Sequence, residues 1–124
     1  FQHRQPLYDE SARVLDAVVE GQVIGWLTAH SVVNLYNTLT IMVNQKTAVS
    51  TISRLLDVFT VATVDDPIIR QALTLRFPNF EDAVQLITAG YIGADYLVSR
   101  NAQNYYEELV PVIRPTTLLT LLNQ

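Results

Sequence analysis

Apolar positions recur along this chain in two rhythms, one near the helical period and one of short continuous runs, and the two alternate. Ala12, Leu15, Val18 and Val19 follow Pro6 at helical spacing and Gly21 stops them, which predicts a first helix. Val23 to Leu27 is a nearly unbroken apolar run with a β-branched bias and predicts a buried strand. Thr28 is placed to cap a helix whose inner stripe is Val32, Leu35, Tyr36, Leu39 and Val43. A second helix is expected from Thr47, with Val49, Ile52, Leu55 and Leu56 inward. Phe59 to Val64 predicts the next strand.

Asp65-Asp66-Pro67 is a helix start, an Asp cap with Pro in the first turn, and Ile68, Ile69, Ala72 and Leu73 are expected to face the core. Phe77-Pro78 breaks that helix. Asn79 caps another, with Ala83, Leu86, Ile87 and Tyr91 on its apolar side and Gly90 and Gly93 at its end. Tyr96 to Val98 predicts a strand, and a short helix near Asn104 to Glu108 leads to a strand over Val110 to Ile113. Arg114-Pro115 turns into a last helix through Leu122.

Strands alternating with helices predict an α/β fold, a mainly parallel sheet of at least four strands flanked by helices. Ligands of such sheets bind beyond the carboxyl ends of the strands. That directs attention to Thr28, His30, Asp65, Asp66 and the Ser99–Asn104 loop.

Composition narrows the function classes. A chain of 124 residues without cysteine is expected to be one domain with neither disulfides nor thiolate metal sites, and it fits a cytoplasmic location. No apolar run reaches the roughly 18 residues of a membrane span. A formal charge of −4 with scattered arginines argues against strong, unassisted binding to bulk nucleic acid. There is no glycine-rich phosphate loop, G-x-S-x-G elbow or zinc spacing.

The most specific stretch is FPNFEDAVQLITAGYIGADYLVSRNAQNY, Phe77 to Tyr105. Asn79-Phe80-Glu81-Asp82-Ala83, then Tyr96-Leu97-Val98, then Ser99-Arg100-Asn101-Ala102-Gln103-Asn104-Tyr105 resemble the D-F-E-D-A word, the apolar strand and the T-R-N-x-x-D-F loop of PIN domains. These are metal-dependent nucleases that include the VapC toxins. The resemblance implies a three-layer α/β/α arrangement and a single PIN-like domain over residues 1–124. The family's first strand and its aspartate are expected to fall before Phe1, leaving the domain N-terminally incomplete and its sheet short of a central strand. It also implies Mg²⁺- or Mn²⁺-dependent cleavage of RNA, RNA and an antitoxin-like protein as partners, and a homodimer. The alternative is a catalytically degenerate PIN-like module kept for protein or RNA binding.

On that resemblance Asp82 is the catalytic and metal-binding acid, although the third position of a helix capped by Asn79 also suits a carboxylate for capping alone. Asn34 takes the place of a family glutamate. Asn101 and Asn104 take the places of a further acid. Glu81 projects about 100° away from Asp82 around the helix and is expected to act through water. Ser99 is expected to orient a water or a ligand and Arg100 to meet a phosphate. His30 lies one turn before Asn34 on the same side. Each replacement of an acid by asparagine removes a charge that a hard cation relies on.

Overall fold

The computed structural model describes residues 13–105 and 109–123. The expected helix start after Pro6, with Ala12, and the 106–108 part of the expected helix near Asn104 lie outside them. Residues 13–19 are helical, and Gly21 turns the chain at φ 79°. There follow strand β1 (Gly25–Thr28), helix α1 (Ala29–Met42), helix α2 (Gln45–Val58) and strand β2 (Phe59–Ala62). Helices α3 (Asp66–Leu75) and α4 (Phe80–Tyr91) come next, then strand β3 (Leu97–Val98), a 3₁₀ turn over Ala102–Asn104, strand β4 (Val112–Ile113) and helix α5 (Pro115–Leu122).

Both strand pairings are parallel, as the alternation with helices requires. The expected sheet of four or more strands is corrected: among the described residues β1 pairs only with β2, and β3 only with β4. The strands are also shorter than the apolar runs. Val23 and Ile24 stay outside β1, Val64 outside β2, Tyr96 outside β3 and Val110 outside β4. Nor are they fully buried. Ile24 is 86% exposed and Trp26 44%, and among the described residues no further strand pairs with β1–β2.

Local chemistry explains most helix boundaries. Asn44 caps α2, its side chain accepting from Thr47 N at 2.7 Å, so the helix begins at Gln45 rather than at Thr47. Asp65 caps α3 through Ile68 N, and Arg76 closes it in the left-handed region at φ 56°. Asn79 caps α4, accepting from Glu81 N and Asp82 N. Thr28 occupies the cap position of α1 without making the cap bond; its hydroxyl pairs with Ser31 Oγ instead.

The core lies in the second half of the chain. Ile68, Ala72, Phe77, Ala83, Val84, Leu86, Ile87, Ala89, Tyr105 and Val110 form one buried cluster. Thr88, buried among them, satisfies its hydroxyl on Val84 O at 2.7 Å. The expected inner stripes of α1 and α2 are only partly covered. No residue of α1 is buried, Ala48 is the buried residue of α2, and Val43, Val49 and Leu56 stand exposed. Leu73 and Tyr91 also face out. Periodicity assigns an apolar face; it does not supply a neighbour to cover it.

Candidate functional site

Strands β1, β3 and β4 each deliver polar side chains past their carboxyl ends. His30, Ser31 and Asn34 stand on the first turns of α1 after β1, Ser99 follows β3, and Arg114 follows β4. Glu81 and Asp82 open α4, where the Asn79 cap fixes the first turn and the helix dipole favours carboxylates.

The two acids diverge, as their helical positions require. Glu81 turns toward α1: its Oε2 accepts from Asn34 Nδ2 at 2.8 Å and lies 3.4 Å from His30 Nε2. The His30 contact does not have hydrogen-bond geometry, and neither ring nitrogen of His30 has a hydrogen-bond partner although both are shielded from solvent. One turn along, Gln85 Nε2 donates to Ser31 Oγ at 3.4 Å. The pairs Ser31–Gln85 and Asn34–Glu81 run in opposite order along the two helices, so α1 and α4 meet antiparallel here.

Asp82 turns the other way, and its Oδ1 accepts from the Tyr105 hydroxyl at 3.2 Å. Tyr105 stacks edge-on against Phe77, 5.9 Å between ring centroids, which seats its ring in the core cluster and leaves its hydroxyl at the acid. Burial above all pushes the Tyr105 phenol well above the ordinary tyrosine range. The Asp82 charge and hydrogen bond push the same way, a Ser99 hydrogen bond opposes them, and Glu81 adds a little. Tyr105 is therefore a neutral donor across the physiological range.

The loop after β3 completes the arrangement. Ser99 Oγ accepts from Asn101 N at 3.0 Å, closing a local turn. The Asn101 and Asn104 residues are exposed, and their backbones bond to each other, Asn104 N to Asn101 O at 2.8 Å. Arg114 grips the loop from β4, donating to Arg100 O at 3.3 Å and Gln103 Oε1 at 2.9 Å. No carboxylate of the described residues pairs with Arg114, whose hydrogen bonds go to neutral oxygens.

Of the residues singled out in the sequence, Asn34, Glu81, Asp82 and Ser99 thus come together, with Arg100 in the adjoining loop. Asn34 meets Glu81 rather than Asp82. Tyr105, Arg114 and the Ser31–Gln85 tie were not anticipated. The helical offset between Ser31 and Asn34 held the signal for that tie, whereas nothing local in the sequence marks Tyr105 as the partner of Asp82.

The Mg²⁺ or Mn²⁺ implied by the resemblance is not matched by these side chains. Among the described residues no three His, Cys, Asp or Glu side chains converge as a metal-binding group. Both carboxylates already accept hydrogen bonds from neutral donors, and Asn34 turns its amide N–H, not its oxygen, toward Glu81. Of the expected ligands Asp82, Asn34 and Asn101, Asn34 bonds Glu81 rather than Asp82, and Asn101 donates its backbone N–H to the Ser99 turn.

No curated protein and no solved structure gives a match to this chain. A family model does. The PIN domain model matches residues 2–103, which spans α1 with Asn34, the Glu81–Asp82 helix and most of the Ser99–Asn104 loop. With that match over most of its length, the chain belongs to the PIN-domain family.

Proposed function

We propose that this PIN domain is an RNA-engaging module in which metal-dependent cleavage is weak or lost. The observation that supports the reading most is the convergence of Asn34, Glu81, Asp82 and the Ser99–Tyr105 loop at the carboxyl ends of parallel strands, where α/β folds place their ligands. Two carboxylates without a compensating cation repel a phosphodiester. Contact with RNA therefore runs along the neighbouring loop, through Arg114 and Arg100 and through exposed amides. Among the described residues Arg114 bonds two oxygens of the loop, and its guanidinium can offer further N–H donors to a phosphate. With a chain charge of −4 the affinity is low and falls steeply with salt.

The competing reading is a competent Mg²⁺- or Mn²⁺-dependent endoribonuclease of the VapC type, paired with an antitoxin-like protein and acting as a cytoplasmic homodimer. The placement of Glu81 and Asp82 on the opening turn of α4 favours it; the charge count opposes it, because a hard cation draws most of its affinity from anionic oxygens.

Fluorescence anisotropy with a mixed-sequence single-stranded RNA at low salt tests the first reading. Binding is expected, with Arg114→Ala lowering affinity and reducing the salt slope by about one. Absence of binding at low salt defeats it. A parallel assay with Mg²⁺ or Mn²⁺ decides between the readings. Little cleavage supports the weakened module, whereas robust cleavage abolished by Asp82→Ala establishes the nuclease.

A further inference from the structure

We infer that the acidic pair is built as a metal-free clasp, in which the Asn34 amide and the Tyr105 hydroxyl take the place of a divalent ion, the first tying the helix after β1 to α4 and the second tying the segment after β3 to it. The inference rests on the weakened-module reading and adds what replaces the metal. Glu81 and Asp82 share one helical turn yet point to different elements, and each meets a neutral donor there. Glu81 Oε2 takes the Asn34 N–H at 2.8 Å, from the helix that follows β1. Asp82 Oδ1 takes the Tyr105 O–H at 3.2 Å, from the segment that follows β3.

Each donor takes one oxygen of its carboxylate, Oε2 of Glu81 and Oδ1 of Asp82, and holds the two acids toward different elements rather than toward one shared point. The amide orientation follows from the hydrogen bonding, since the reversed amide would set an oxygen against the carboxylate. Tyr105 cannot give up its role by ionising, because burial and the Asp82 charge keep it protonated. Between the two sheets, which share no strand pairing, the described hydrogen bonds Asn34–Glu81 and Ser31–Gln85 join α1 to α4. The clasp therefore has a structural consequence that a vestigial metal site would lack. It stabilises the protein without divalent ions, and its strength depends on the donor at position 34.

Asn34→Asp is the isosteric test. It keeps the size of the side chain and replaces the N–H donor with a carboxylate oxygen beside Glu81. Thermal melts of the 124-residue chain are recorded in EDTA and in millimolar Mg²⁺ or Mn²⁺, without RNA. The wild type is expected to melt at the same temperature in all three. Asn34→Asp is expected to melt at least ~3 °C lower in EDTA and to recover in Mn²⁺, because two facing acids need a cation that the amide made unnecessary. Asn34→Ala is expected to melt low in every buffer.

A saturable rise in the wild-type melting temperature with Mg²⁺ or Mn²⁺, removed by Asp82→Ala, overturns the clasp and assigns a metal site. Should Asn34→Asp not fold, Tyr105→Phe serves. It frees Asp82 Oδ1 without adding charge, and metal-insensitive melting that is lower than wild type supports the clasp. Melting equal to wild type overturns it. RNA binding measured in EDTA is a separate readout, so loss of the clasp and loss of the functional reading are told apart.

Discussion

Burial and the Asp82 carboxylate hold the Tyr105 proton above the ordinary tyrosine range, and that has a measurable sign. The unfolded chain loses this proton first, near pH ~10. Above that pH the folded state binds more protons than the unfolded one, so stability falls as pH rises. The contribution of Tyr105 is complete below pH ~10 and decays above it. Urea unfolding of wild type and Tyr105→Phe on either side of that pH should show the wild type losing stability more steeply; parallel curves would refute the assignment. The same residue shows where the sequence stopped being legible. The word Ser99 to Tyr105 was readable as a loop after a strand, and Asp82 as an acid opening a helix. Their meeting depends on Phe77 seating the Tyr105 ring, a contact between residues 28 positions apart with no shared local pattern. The angular divergence of Glu81 and Asp82 was legible from helix geometry alone. What lay at the end of the Glu81 side chain was not, because it depends on how α1 lies against α4.

Among the elements, boundaries set by caps were readable and boundaries set by packing were not. Asp65 with Pro67, Asn79, Gly93 and Pro115 each mark a helix end by a hydrogen bond or a backbone angle that one residue supplies. The strands carry no such marker. Apolar runs at Val23–Leu27 and Phe59–Val64 were long enough for full strands, but only Gly25–Thr28 and Phe59–Ala62 find partners. Gly25 shows why pairing is selective. It sits opposite Phe59, and a Cβ there would stand 2.6 Å from the Phe59 ring and 3.1 Å from a Val18 methyl. Gly25→Ala should therefore destabilise the β1–β2 pair by about 1–3 kcal/mol, the usual cost of overpacking. Asn79→Ala should cost about 1 kcal/mol through loss of the cap of α4. Denaturant titration measures both, and a cost near zero for Gly25→Ala would mean that the Phe59 ring swings aside.

At the scale of the whole molecule the two halves differ in how well they are packed. Every member of the buried cluster lies between Ile68 and Val110. In the first half the buried residues are Ala17, Val18, Ala48 and Ala62, mostly small side chains. A pocket of about 100 Å³ opens between α1 and α2, lined by Leu27, Ser31, Val32, Leu35, Ile52, Leu55 and Leu56. Apolar contact is the main favourable term in folding, so local opening costs least where it is sparse. Native-state hydrogen exchange should find the amides of α4 among the most protected, exchanging through global unfolding, and those of α1 and α2 exchanging through smaller openings. The clasp refines this expectation. Since Asn34–Glu81 and Ser31–Gln85 both anchor the first turns of α1, protection along α1 should fall from Asn34 toward Met42. Asn34→Ala should erase that gradient while leaving α4 protected by its own core contacts. Uniform protection across both halves would show that the exposed apolar faces of α1 and α2 are covered in solution, and that the second half is not the seat of the domain's stability.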